Sequence, residues 1–79
     1  MLSDREEWKM ELKMAPLKET LRRERRRAGL SQIDLAEVAG VGHITISRIE
    51  RGEIVEPRIS TLRKLADALG IQVRDLLED

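Results

Sequence analysis

The stretch from Ser31 to Gly52 constrains this chain more than any other part of it. It reads Ser-Gln-Ile-Asp-Leu-Ala-Glu-Val-Ala-Gly-Val-Gly-His-Ile-Thr-Ile-Ser-Arg-Ile-Glu-Arg-Gly. Ser31 is a good helix N-cap, and Asp34, three positions on, supplies the short version of a capping box. Ile33, Leu35, Ala36 and Ala39 then recur at helical spacing. Gly40 stands where a helix ends on a left-handed residue. Val41 plugs the corner, and a second helix is expected from about Gly42 to Arg51, with Ile46 and Ile49 pointing inward and Gly52 ending it. The stretch predicts two short helices joined by a tight glycine turn.

Two helices joined in this way form the helix-turn-helix pattern, whose second helix enters the DNA major groove. A formal net charge of zero argues against a nucleic-acid partner, and the distribution of charge removes the objection. Residues 17–64 hold eleven Lys/Arg against seven Asp/Glu, residues 1–16 three against four, and residues 65–79 one against four. The middle is basic and the ends are acidic. Attraction to phosphate is screened within about 8 Å at physiological salt, so a basic face suffices.

Composition excludes several other classes. Seventy-nine residues make one small domain. There is no cysteine, which rules out disulfides and thiolate zinc sites. His43 is the single histidine, so a metal site or a Ser-His-Asp triad would depend on it alone, and neither an enzyme nor a cofactor is expected. No apolar run approaches the roughly 20 residues needed to span a bilayer, and no signal-peptide pattern is present. The expectation is a soluble, cytoplasmic protein with no membrane partner.

The flanking segments also read as helical. Pro16 suits the first position of a helix that runs to Ala28 and stops at Gly29. Leu17, Leu21 and Ala28 form its apolar stripe. Arg22, Arg23, Arg25, Arg26 and Arg27 crowd its second half, where cations suit the helix dipole; the cluster is denser than that requires, and phosphate contact is the second reading. After Gly52 comes a connector with Ile54, Val55, Glu56, Pro57 and Arg58. A fourth helix is expected from Ile59 to Leu69, with Ile59, Leu62, Leu65, Ala66 and Leu69 in register and Gly70 as its end. A fifth runs from about Val73 to Leu77. The fold class is therefore all-α: a five-helix helix-turn-helix domain over residues 16–79 after an extension over residues 1–15. In that extension Ser3-Asp4-Arg5-Glu6 is a capping box, which favours a helix. Trp8, Met10, Leu12 and Met14 alternate with Lys9, Glu11 and Lys13, a strand period, and an irregular arm is the third reading.

Residues 17–77 resemble the phage repressor/Cro family, also called the Xre family. The resemblance rests on Ala28-Gly29-Leu30-Ser31-Gln32, Leu35-Ala36, Ala39-Gly40-Val41, Ile46-Ser47-Arg48-Ile49-Glu50-Arg51-Gly52, and Thr61 through Gly70. It implies a compact lambda-repressor-like domain with its third helix in the major groove. Carried over by position, His43, Ile44 and Arg48, with Thr45 and Ser47 beside them, fall where family members read bases. Ser31 and Gln32 fall where a helix N-terminus and a side chain grip a phosphate, and Arg58 falls at a backbone or minor-groove contact. Arg25 and Glu50 match a pair that joins the first helix to the third, and that pair also aims Arg25 at the backbone. The bland alternatives are a surface-exposed His43, an Ile44 packed on a neighbouring helix, and an Arg48 paired with Glu53. The chain departs from the lambdoid pattern at Ile54, Val55 and Glu56, where basic residues are usual, and at Gly42, where Ser or Thr often caps.

The expected function is a sequence-specific DNA-binding transcriptional regulator, a repressor, acting as a homodimer on a palindrome whose half-sites lie about 34 Å apart. Ile54, Val55, Ile59 and Trp8 are the candidates for the dimer surface. The alternatives are a protein-interaction module, or an antitoxin or controller subunit that uses the same fold with a protein partner such as a toxin.

Overall fold

The structure, a computed structural model, describes residues 16–77. Trp8 and the helix-or-strand question of the extension lie outside the described residues. Five helices follow one another: α1 Leu17–Arg27, α2 Gln32–Ala39, α3 His43–Glu50, α4 Ile59–Leu69 and α5 Val73–Leu77. No strand occurs among the described residues, so the class is all-α.

Local chemistry sets the helix ends. Pro16 takes an extended ψ of 144° and stands one residue before α1 rather than at its first position. Its carbonyl accepts from the Glu19 and Thr20 N–H groups at 3.0 and 3.1 Å. At α2 the Asp34 N–H donates to Ser31 Oγ at 3.0 Å, and the Ser31 N–H donates to Asp34 Oδ2 at 3.2 Å. Both halves of the capping box are thus made. Gly40, at φ 69°, turns the chain in the left-handed region that side chains resist. The Gly40 and Val41 N–H groups both bond the Ala36 carbonyl, which closes the turn into α3.

Each helix contributes to one core. Leu21, Leu35, Ile46, Ile49, Leu65 and Leu76 are fully buried, with Ala36, Leu62 and Ala66 close behind. Each large aliphatic side chain so buried contributes about 1.5–3 kcal/mol, which holds together helices too short to stand alone. α3 packs on α1 and α2, α2 also packs on α4, and α5 closes over α4 and α1. α3 is therefore wedged by its Ile46–Ile49 side, and its opposite side is left open.

Several expected core positions lie outside. Ile33 is 55% exposed, because the eight-residue α2 buries the arc of Leu35, Ala36 and Ala39, and position 33 is rotated away from it. Ile59, at the first turn of α4, is 56% exposed. Ala28 lies past the end of α1 and is exposed. The inward face of α1 uses Thr20 and Glu24 instead, both buried beside Leu21. Thr20 Oγ1 donates to the Pro16 carbonyl at 3.3 Å, which removes most of the cost of burying its hydroxyl.

Candidate nucleic-acid interface

With Ile46 and Ile49 committed to the core, α3 offers His43, Ile44, Thr45, Ser47 and Arg48 on its remaining surface. His43 and Arg48 are exposed, Thr45 and Ser47 are half-buried, and Ile44 is 64% exposed. Ile44 therefore does not pack on a neighbouring helix. Ile44 and Arg48 are four residues apart and share a face. A face that combines an apolar β-branched side chain with an arginine can meet a thymine methyl and the acceptor edge of a guanine.

Glu50 fixes the orientation of that face. It is the last residue of α3 and almost completely buried. Arg25, from α1, grips its carboxylate with both arms of the guanidinium, Nε to Oε2 at 2.7 Å and Nη2 to Oε1 at 2.9 Å. The third arm of Arg25, Nη1, donates to the Leu30 carbonyl at 2.9 Å, just before α2. Gln32, in the first turn of α2, donates from Nε2 to Glu50 Oε1 at 3.2 Å. Arg22 donates from Nη2 to the Glu50 backbone carbonyl at 3.0 Å, and its Nε lies 3.6 Å from Oε1. The Glu50 carboxylate thus ties α1 and α2 to the end of α3, and Arg25 adds the loop before α2. Burial by itself pushes the Glu50 carboxyl up. The hydrogen bonds from Arg25 and Gln32 and the charges of Arg25 and Arg22 outweigh it, and the group is held below the usual carboxylate range. The Arg25 pKa is raised in turn, chiefly by its hydrogen bond to Glu50.

This network divides the arginine run. Arg25 is turned inward with its side chain only 12% exposed, so it acts as a strut rather than a surface contact. Arg22 caps α3, where a cation also suits the helix dipole. Arg23 and Arg27 lie 3.7 and 3.6 Å from the buried Glu24 carboxylate. Much of the density of this cluster is structural. Gln32 sits at the α2 N-terminus beside Ser31, whose hydroxyl oxygen serves as the helix cap, and Arg58 is exposed at the N-cap of α4. The connector exposes Val55 at 74%, next to a hollow bounded by Pro16, Leu17, Ile49, Ile54 and Val55.

The end of α3 has a geometry that spacing did not reveal. Gly52 is left-handed at φ 79°. Its N–H bonds the Ile49 carbonyl at 3.0 Å, and the Glu53 N–H bonds the Arg48 carbonyl at 2.9 Å. This is a Schellman motif, and it folds Glu53 back over the last turn of the helix. Glu53 Oε2 then lies 3.2 Å from Arg51 Nη2 and 3.9 Å from Arg48 Nε. The signal was present in the sequence as a glycine between two charged residues, with Arg48 one turn upstream.

A family model described as helix-turn-helix matches residues 21–76, which covers the five packed helices almost completely. The chain belongs to the helix-turn-helix family, of the Xre type. This helix-turn-helix chain is 36% identical over 64 residues to the uncharacterized HTH-type transcriptional regulator RghRB of Bacillus subtilis; the match covers 81% of the chain and 46% of RghRB. The chain therefore spans less than half of that relative. Among solved structures, the N-terminal DNA-binding domain of SinR from Bacillus subtilis superposes with a TM-score of 0.77 at 33% identity, over 80% of this chain and 91% of that one. SinR has also been solved in complex with DNA and in complex with the SinI protein. The restriction-modification controller protein C.AhdI from Aeromonas hydrophila gives a TM-score of 0.74 at 34% identity, over 78% of this chain and 92% of that one. Among the described residues no helix is long and apolar enough to cross a membrane.

Proposed function

We propose that this chain is a sequence-specific DNA-binding transcriptional regulator, acting in the cytoplasm as a repressor and binding a palindromic operator as a homodimer. The observation that carries the reading is the outward face of α3, where the exposed Ile44 and Arg48 stand on a helix pinned from behind by Ile46, Ile49 and Glu50. His43, Ile44 and Arg48 read bases, with Thr45 and Ser47 beside them. Ser31 and Gln32 present a helix N-terminus to a phosphate, and Arg58 meets the backbone. A single recognition helix covers only a few base pairs, so a second copy supplies the rest of the site. The exposed Val55 and Ile59 with the half-buried Ile54 are the apolar surface offered to that copy.

A mobility-shift titration on the DNA upstream of the chain's own gene, run over a salt series, tests this. The reading predicts a shift that weakens steeply with salt and resists competition by random DNA. Absence of any salt-sensitive shift contradicts it. That result would favour the second reading, a protein-interaction module, antitoxin or controller subunit, which the SinR–SinI complex of a structural neighbour supports.

A further inference from the structure

We infer that Glu53 is a positioning residue for base reading: its carboxylate, in ion-pair range of Arg48 Nε, biases the guanidinium toward rotamers that leave its two terminal nitrogens free for a base edge. The inference rests on the proposed reading of α3 as the base-reading helix.

The left-handed turn at Gly52 and the Glu53 N–H to Arg48 carbonyl bond fix Glu53 against the turn that carries Arg48. The Ile54 N–H reaches the same carbonyl at 3.2 Å, so two successive amides anchor the connector there. Glu53 is thus not a distant surface acid that meets Arg48 by chance; its Cα position is set by the helix end itself. From that position Oε2 hydrogen-bonds Arg51 Nη2 at 3.2 Å and lies 3.9 Å from Arg48 Nε. Arg51 steadies the carboxylate by donating to it, and the carboxylate stands in ion-pair range of Arg48 Nε, beyond hydrogen-bond distance.

Chemistry supplies the consequence. A guanidinium has five donors in a fixed plane, and an acceptor on the Nε edge leaves the end with Nη1 and Nη2 for a second partner. Guanine offers O6 and N7 as a matching pair of acceptors. The side chains of Arg48 and Glu53 are 56% and 52% exposed, so water competes and the pair is a bias on rotamer choice rather than a clamp. The carboxylate also faces a phosphate-rich partner and repels it. A group placed there lowers affinity for DNA in general, and it is useful only if it sharpens the choice among sequences. Glu53 touches no base, and its whole effect passes through Arg48.

The test is a binding selection on a pool of random-sequence duplexes, followed by sequencing, with the full chain as wild type, Arg48→Ala, Glu53→Gln and Glu53→Asp. The wild type is expected to select a half-site with a guanine whose preference vanishes in Arg48→Ala. Glu53→Gln is expected to lower the preference at that one position by about two- to fivefold, the scale of an exposed ion pair, while other positions keep theirs. Glu53→Asp, which retains the charge, is expected to recover part of the loss. Affinity for a fixed random duplex should hold or rise in Glu53→Gln, since a negative charge is lost. An Arg48-dependent guanine that survives Glu53→Gln unchanged overturns this inference and leaves the proposed function standing. A flat wild-type profile, with no base preferred anywhere, overturns both.

Discussion

Arg25 Nε donates to Glu50 Oε2 at 2.7 Å, across 25 positions of sequence, and this contact joins the first helix to the end of the third. Both groups are withdrawn from solvent, with side chains 12% and 1% exposed. The pair has a geometric role. It fixes the roll of α3 about its own axis, and that roll decides which side chains face outward.

Removing one partner from a buried, hydrogen-bonded pair strands the other. Glu50→Ala is expected to cost about 3 kcal/mol of stability, the low end for a buried pair because Arg25 keeps some access to water. Urea unfolding followed by circular dichroism measures it. A loss below about 1 kcal/mol, the scale of an exposed pair, would mean the network is ornamental.

Acid should weaken the same contact. The Glu50 carboxyl is held below its usual range in the folded chain, so the unfolded chain takes up a proton first as pH falls. The stabilisation is therefore complete above the unfolded value of about 4.3 and is lost as pH falls through the lower folded value. Thermal midpoints of wild type and Glu50→Gln, measured from roughly pH 7 down to roughly pH 3, should converge toward the acid end. A gap that stays constant across that range contradicts the assignment.

Gly42 caps α3 without a side chain, at φ −63° and ψ 138°, a conformation open to any residue. A Cβ there would meet only Thr45 Oγ1 at 3.7 Å, an ordinary contact. Gly42→Ser is expected to stabilise the domain by about 0.5–1 kcal/mol, through a hydroxyl that accepts the Thr45 N–H and a stiffer unfolded chain. A lowered thermal midpoint would show that the turn needs glycine for a reason the geometry does not contain.

The parts of this architecture that were readable in advance are local ones. The Ser31–Asp34 capping box, the glycine stops at Gly40, Gly52 and Gly70, and the inward pair Ile46 and Ile49 all depend on neighbours a turn or less away. The errors came from faces rather than helices. Ile33 satisfied a helical period, yet on a helix of eight residues the buried arc is set by which neighbours pack there. Thr20 and Glu24 went unnoticed because a buried polar group is legible only once its partners are known. At the candidate interface, the Arg25–Glu50 match came from family resemblance, whereas the bonds of Gln32 and Arg22 to Glu50 span 18 and 28 positions and have no local signature. Spacing alone offers the Arg48–Glu53 pairing as the bland alternative to base reading. The Schellman turn makes the two compatible.

Gln32 stands at the α2 N-terminus with its amide nitrogen on Glu50. Gln32→Ala is expected to weaken binding to cognate and random duplexes by similar amounts, roughly 1 kcal/mol each, because a phosphate contact carries no sequence information. Parallel titrations by fluorescence anisotropy check this. A loss confined to the cognate duplex would mean that Gln32 acts through Glu50 and the orientation of α3, or on a base, rather than on a phosphate.

If α3 reads sequence through Arg48, removing that side chain must cost more on a preferred sequence than on an arbitrary one. Arg48→Ala and wild type are titrated against the selected duplex and a random duplex at one fixed salt concentration. Arg48→Ala is expected to lose about 1–3 kcal/mol on the selected duplex and to change little on the random one. Equal losses on both duplexes would contradict that reading and make Arg48 a phosphate contact.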